Sequence, residues 1–159
     1  MRVLGIDPGS KRCGYGLVEW KKGKIELIGG GIITPTSTTL STQLEEIAEG
    51  LEIIYNRYSP IDVVVVEDIF FAYNPKSVLK LAQIRGAILL KVLQLHGTYR
   101  EFTPLQIKRV VTGNGKATKE QVSFMVQKIL GIKEKLKPFD ISDALALSIA
   151  PILLNPALG

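Results

Sequence analysis

A chain of 159 residues with 46% hydrophobic and 22% charged side chains fits one globular domain, spanning 1–159, and its lone Cys13 excludes an intrachain disulfide. No apolar run is long enough to cross a membrane, and an early carboxylate and proline argue against a secretory signal, so we expect a cytoplasmic protein. The net charge of +5 is unevenly spread, because residues 76–137 carry 13 Lys or Arg against three Glu, whereas the rest carries 7 basic and 12 acidic residues. This excess fits a polyanion such as nucleic acid, and it equally fits a solvated face whose acids lie elsewhere in space.

The first part of the chain predicts mostly strands. Its predicted elements are strands at 2–7, 13–20 and 25–34 and a helix at 42–57. The first strand ends at Asp7, and a Pro-Gly-Ser turn follows it. Three glycines at 29–31 mark a bulge or bend in the third strand. Thr42 and Glu45 form a capping-box pattern at the start of the helix.

The rest of the chain alternates strands and helices before ending in helices alone. Its predicted elements are strands at 61–66 and 98–103 and helices at 77–95, 105–111, 119–130 and 142–154. The β-branched run at 61–66 is typical of a strand buried on both faces at the centre of a parallel or mixed sheet. The helix at 77–95 is apolar on more than one side, so the core, a second subunit or both must cover it.

Four acidic residues occupy positions where a metal site would form. Asp7 ends the first strand and Glu67 follows the buried strand, and open α/β sheets place their ligands at such strand ends. Asp140 and Asp143 are three residues apart, which puts both on one face of a helix. If the sheet and this helix converge, the clustered carboxylates need cations to neutralise their repulsion. Oxygen-only ligands favour Mg²⁺ or Mn²⁺, and a pair of such ions can hydrolyse a phosphodiester.

Each of these acids also has a purely structural interpretation. Asp7 could belong only to its turn, and Glu67 could be a surface residue at a strand end. Asp140 could be a helix N-cap with Asp143 in the first turn, both complementing the helix dipole. The combination is more informative than its parts, because turn chemistry alone rarely puts acids at the ends of two inner strands.

Four segments in chain order carry a resemblance to one known family. The segments are Gly-Ile-Asp-Pro-Gly-Ser at 5–10 with Gly-Tyr-Gly at 14–16, Val-Glu-Asp-Ile-Phe-Phe at 66–71, Leu-Lys-Leu-Ala-Gln-Ile-Arg-Gly-Ala at 79–87, and Ser-Asp-Ala-Leu-Ala-Leu at 142–147. Together they closely resemble the signatures of the RuvC family of Holliday junction resolvases. The first motif is weak by itself. The ordered set is specific and runs from residue 1 to about residue 150.

The resemblance implies a fold, an activity and a set of partners. The implied fold is α/β and ribonuclease H-like, with a central five-stranded mixed sheet flanked by helices. The implied activity is Mg²⁺-dependent cleavage of four-way DNA by a homodimer, in recombination and repair. Asp7, Glu67, Asp140 and Asp143 would bind two Mg²⁺ ions, for which Mn²⁺ can substitute. The family also implies coupling to the RuvA/RuvB branch-migration complex, for which the sequence offers no visible docking motif.

The resemblance further implies contacts with DNA. Phe70 matches an aromatic residue that stacks on a base near the opened junction, although one of the two phenylalanines at 70–71 could instead belong to the core. Lys108 and Lys119 match basic residues near the scissile phosphate, where a cation offsets developing charge. Arg109 and Lys116 are interpreted as general contacts to the DNA backbone, or as solvated charges.

Three other functions are weighed against this one. A phosphotransferase of the sugar kinase and actin-like class shares a similar first motif, but it needs two such domains. Another ribonuclease H-like nuclease is less favoured, because the 66–87 block and the two C-terminal aspartates match RuvC. A non-catalytic DNA-binding module is disfavoured by acids at all four matched positions.

The chain departs from the family pattern at Asp68, where many relatives have Gln. Strand alternation turns the Asp68 side chain away from Glu67.

Overall fold

The computed structural model describes residues 1–68 and 74–155, and its elements lie close to the predicted positions. In chain order they are β1 (Arg2–Asp7), β2 (Cys13–Lys21), β3 (Lys24–Ile33), α1 (Leu40–Tyr58), β4 (Val63–Glu67), α2 (Pro75–His96), β5 (Arg100–Phe102), α3 (Pro104–Thr112), α4 (Lys119–Leu130) and α5 (Phe139–Leu153). None of the helices in these two ranges is long and apolar enough to span a membrane.

The five strands form one mixed sheet in the order β3-β2-β1-β4-β5. The hairpin neighbours β1, β2 and β3 are antiparallel, whereas β4 and β5 run parallel to β1. The predicted five-stranded mixed sheet is therefore confirmed. The predicted irregularity is also confirmed, since the β2–β3 register shifts beside Gly29. Because β1 and β4 are adjacent and parallel, their carboxyl ends lie side by side.

The sheet separates two hydrophobic cores. Leu4 and Ile6 of β1 face α1 and α2, in the core that includes Ile47, Leu51, Val64, Val66, Ile84 and Ile88. Val3 of β1 and Val65 of β4 face α3, α4 and α5. Side chains alternate between the two faces of a strand. Asp7 lies four residues after Val3 and Glu67 lies two residues after Val65, so both consequently lie on the same face as α5.

The start of α1 differs from the sequence prediction. The capping box of Thr42 and Glu45 is wrong, because α1 begins at Leu40 and its N-cap is Thr39, whose side chain caps no backbone N–H. Thr42 lies inside the first turn and accepts a hydrogen bond from the Thr39 hydroxyl. The amphipathic stripe located the helix correctly. The capping motif did not locate its first residue, because helix ends are the least certain part of such a prediction.

Helix α5 lies directly on the backbone of β1 and β2, and glycines make this approach possible. A Cβ atom at Gly5 would lie 2.2 Å from the carbonyl oxygen of Ala144, and one at Gly14 would lie 2.5 Å from that of Asp140. Both are backbone oxygens, so no side-chain rotation could relieve the overlap. The glycines of the first sequence motif therefore set the distance between the last helix and the sheet.

We predict that Gly5→Ala destabilises the protein by roughly 3 kcal/mol, towards the upper end of the usual cost of overpacking a core. The matched control is Gly30→Ala on β3, where the nearest atom to a new Cβ is a side-chain methyl of Ile141 at 3.3 Å. Urea unfolding followed by circular dichroism would compare the two free energies of unfolding. Equal effects of the two substitutions would contradict the close approach of α5 at Gly5.

Candidate active site

The first two acids of the site meet at the joined ends of β1 and β4. Ile6 pairs with Val66 in the parallel register, so the following residues, Asp7 and Glu67, are neighbours on one face of the sheet. Their carboxyl groups share a hydrogen bond. The interpretations of Asp7 as only a turn residue, and of Glu67 as an isolated surface residue, do not account for this pairing.

The other two acids come from the first turns of α5. Asp7 pairs with Gly14 across the β1–β2 ladder, and the missing Cβ of Gly14 leaves room for the backbone of Asp140 directly above it. Asp143 follows one turn later on the same face of the helix. The N-cap interpretation of Asp140 is wrong, because α5 begins at Phe139 and Pro138 is its N-cap residue.

All four carboxylates line one cavity of about 390 Å³ at this edge of the sheet. The lining also contains three basic residues, Arg12, Lys108 and Lys119. The structure thus brings together every acid that the sequence predicted for the site, along with two of its four predicted basic residues. The cavity opens beside α3 and α4, which supply Lys108 and Lys119 respectively.

Burial and crowding raise the pKa values of Asp7, Glu67 and Asp143. Burial raises the pKa of Asp7 well above its ordinary value, and its hydrogen bond and charge interaction with Glu67 raise it further. Burial also raises the pKa of Glu67, although the hydrogen bond with Asp7 opposes this shift. The pKa of Asp143 rises to about 6, mainly through burial and then through repulsion from Asp7.

Two cations contact the acids of α5. The Arg12 guanidinium donates from Nε to Oδ2 of Asp140 at 2.7 Å, and Nζ of Lys119 lies 3.8 Å from Oδ2 of Asp143. Lys119 is the first residue of α4, and its side chain is 64% exposed. Lys119 lowers the pKa of Asp7, Glu67 and Asp143, and Lys108 lowers those of Glu67 and Asp143, but burial outweighs them.

Arg85 supports Glu67 from the opposite side of the sheet. This buried residue of α2 donates from Nε to the backbone carbonyl oxygen of Glu67 at 3.0 Å and from Nη2 to Glu101 at 2.8 Å. Asp68 lies 3.8 Å from the same nitrogen. The expectation that Asp68 turns away from Glu67 is therefore confirmed.

Sequence reasoning missed Arg12 and Arg85 as parts of the site. Arg85 carried a signal, since a lone arginine lies among the apolar positions of a conspicuous helix. Little in the sequence indicates that Arg12 belongs to the site, because its partner Asp140 is 128 residues away. Arg109 and Lys116 are exposed and lie outside the cavity lining. Phe70 lies outside the described residues.

The acid cluster suits a hard divalent cation. Its donors are all carboxylate oxygens, they are partly buried, and their mutual repulsion is only partly offset by nearby lysines. In residues 1–68 and 74–155, no three His, Cys, Asp or Glu side chains form a group that could hold an ion as they are placed. Two of the four carboxylates are instead held by Arg12 and Lys119.

The chain is a nuclease with the ribonuclease H-like fold. This class is defined by the sheet order, by the acids at the ends of β1 and β4, and by the two aspartates of the last helix. The family model for "Crossover junction endodeoxyribonuclease RuvC" matches residues 3–151. The chain belongs to the RuvC family, as its motifs predicted.

Relatives and solved structures support this membership. The RuvC proteins of Campylobacter jejuni and Helicobacter pylori are 56% and 53% identical over 149 residues, and each match covers 94% of both chains. The solved RuvC structure of Thermus thermophilus is 32% identical, with a TM-score of 0.85 over 96% of this chain and 94% of that one. The T. thermophilus protein in complex with Holliday junction substrate also gives a TM-score of 0.85, at 31% identity over 94% and 92% of the two chains.

We predict that Asp143→Asn stabilises the metal-free protein at pH 8. Because the folded pKa of about 6 exceeds the ordinary value of 3.8, ionisation of Asp143 costs stability above pH 6 and costs none below pH 4. A shift of this size corresponds to about 1–3 kcal/mol. Thermal unfolding in EDTA would measure the gain.

The same substitution supplies its own control at low pH. Near pH 3, wild type and Asp143→Asn should unfold at nearly the same temperature, since Asp143 is then mostly protonated in both folded and unfolded wild-type protein. A variant less stable than wild type at pH 8 would contradict the repulsion that we assign to this site.

Proposed function

We propose that this chain is a homodimeric, Mg²⁺-dependent endonuclease that resolves four-way DNA junctions by paired, symmetric phosphodiester hydrolysis in recombination and repair. The observation that carries the proposal is the convergence of Asp7, Glu67, Asp140 and Asp143 on one cavity in a member of the RuvC family. The proposal treats residues 1–159 as a single nuclease domain. It places the protein in the cytoplasm, where the DNA of the bacterial relatives lies.

The four carboxylates would hold two Mg²⁺ ions, for which Mn²⁺ could substitute. Bound there, the ions would lower the pKa of a water and stabilise the leaving oxygen of the phosphodiester. Asp7 and Glu67 lie at the ends of central strands and therefore offer rigid ligand positions. Because the pKa of Asp7 is raised, cation binding competes with proton binding there, which couples metal affinity to pH.

The basic residues around the cavity would bind and orient the DNA backbone. Lys108 and Lys119 line the cavity itself, so they would lie nearest the scissile phosphate and offset the charge that develops there. Arg109 and Lys116 are exposed on the same α3–α4 side and would contact phosphates farther along the strand. Base stacking by Phe70 stays a prediction from family membership.

Dimerisation through α2 is supported by an apolar face that the described chain does not cover. Leu79, Leu90 and Leu93 are 61%, 57% and 44% exposed, while Ile84 and Ile88 on the opposite side of the helix are buried. Exposed apolar surface of this kind marks an interface. A two-fold axis would direct two active sites at symmetry-related strands of a junction. Association with the RuvA/RuvB branch-migration complex rests on family membership alone.

We predict that the protein introduces paired nicks at symmetric positions in a synthetic four-way junction in Mg²⁺, and none in EDTA. A linear duplex and an RNA–DNA hybrid of the same sequence should stay uncut. Denaturing gels with each strand labelled in turn would locate the nicks. Equal cutting of all three substrates would refute junction specificity.

Asp7→Asn provides the matched control for the chemistry. We expect it to abolish cleavage while retaining junction binding in Ca²⁺ or in EDTA, because it removes one charge from the centre of the metal site and keeps the shape of the side chain. Loss of binding together with loss of cleavage would assign Asp7 a structural role instead.

We predict that Leu79→Glu converts the protein to a monomer, because it places a charge on the apolar face of α2. Phe124→Glu is the matched control, since Phe124 is equally exposed at 62% but lies on α4, on the other side of the sheet. Light scattering at micromolar concentration would report both masses. A dimer in both variants, or a monomer in wild type, would contradict the proposed interface.

A further inference from the structure

Arg12 makes the tightest contact that any cation makes with the four acids. It lies in the turn between β1 and β2, and it reaches Asp140 with Nε at 2.7 Å from Oδ2 and with Nη2 at 3.5 Å from Oδ1. This forked geometry matches guanidinium to carboxylate and occupies both oxygens of the acid. An acid held in this way has fewer open lone pairs and less uncompensated negative charge to offer a metal ion.

The two partners differ in their freedom to move. The Asp140 side chain is 25% exposed and belongs to a helix that is packed on glycines of the sheet. The Arg12 side chain is 46% exposed and extends from an exposed turn position. When the pair separates, Arg12 can therefore swing into solvent while Asp140 stays at the wall of the cavity.

We propose that Arg12 is a positioning residue that occupies the cation position at Asp140 until a divalent ion displaces it, and that the released guanidinium then binds the phosphate backbone of the DNA. This inference rests on the proposed function, because it concerns the same acids. It explains how four carboxylates coexist without an ion: one charge is neutralised by a side chain that the ion can replace. It also makes metal loading and DNA binding favour each other.

The lining of the cavity supports the second half of this inference. Arg12 lines the same cavity of about 390 Å³ as Lys108 and Lys119. A phosphodiester that enters between the acids and the lysines would lie within reach of Arg12 once Asp140 releases it. A guanidinium suits this role because it binds phosphate with the same fork that it uses for carboxylate.

The first experiment measures binding of Mn²⁺ alone, without DNA, by electron paramagnetic resonance of the free ion. Wild type, Arg12→Gln and Lys11→Gln would be titrated at pH 8. Lys11→Gln is the control, because it removes the same charge from the adjacent, exposed position. We expect Arg12→Gln to bind Mn²⁺ roughly two- to five-fold more tightly than wild type, the range that a partly exposed ion pair supports. Lys11→Gln should match wild type.

The outcomes separate this inference from the proposed function. If wild type binds no Mn²⁺, the metal site itself is wrong. If wild type binds Mn²⁺ but Arg12→Gln binds it equally or more weakly, Arg12 is a structural tether between the β1–β2 turn and α5, and the inference fails. Tighter binding by Lys11→Gln to the same extent would reduce the effect to general charge and would also overturn it.

The second experiment measures four-way junction binding by fluorescence anisotropy in EDTA and in Ca²⁺. We expect Arg12→Gln to weaken binding about three-fold in Ca²⁺ and to leave it unchanged in EDTA, because Arg12 is engaged with Asp140 when no ion is present. Lys11→Gln should behave alike in the two conditions. Equal weakening by Arg12→Gln in both conditions would show that the metal does not release Arg12.

Discussion

The close contact of α5 with the backbones of β1 and β2 is the constraint on which the site depends. A helix normally packs on a sheet through a layer of side chains, and here that layer is removed beneath Ala144 and Asp140 by Gly5 and Gly14. The helix consequently approaches the strand that carries Asp7 closely enough for its own acids to join the cluster. Larger residues at these positions would move two of the four carboxylates away from the other two.

This packing brings four carboxylates together. The surrounding residues reduce the electrostatic repulsion between them but do not remove it. Asp7 and Glu67 share a hydrogen bond, Asp143 lies near Lys119, and Asp140 is held by Arg12. Raised pKa values on three of these acids show that repulsion and burial remain. A site of this kind lowers the stability of the folded protein in order to create a strong demand for cations. The two cores on either side of the sheet supply the stability that this requires.

The strands and the first two site acids could be predicted from sequence because they follow from local pattern. Alternation decides the face of Asp7 and Glu67, and the position of each at the end of a strand places them on the same edge. The pairing of Arg12 with Asp140 could not be predicted, because it depends on how α5 lies across the sheet. The start of α5 was predicted at Ser142, whereas the helix begins at Phe139 after the N-cap residue Pro138, which makes no side-chain capping bond. The capping residue type at Asp140 therefore favoured a start that is too late. Lys108 and Lys119 came from family motifs, and only the fold places them around one cavity.

Arg85 links the two faces of the molecule. It lies on α2, among residues that pack against one side of the sheet, yet it donates to the carbonyl of Glu67, whose side chain lies on the other side. Its second bond, to Glu101 of β5, holds the neighbouring strand in the same arrangement. If α2 pairs with its copy across a two-fold axis, the position of that axis is transmitted to Glu67 through one buried guanidinium. The distance between the two active sites would then be fixed by buried contacts within each subunit. Symmetric cleavage of a junction requires such a fixed distance.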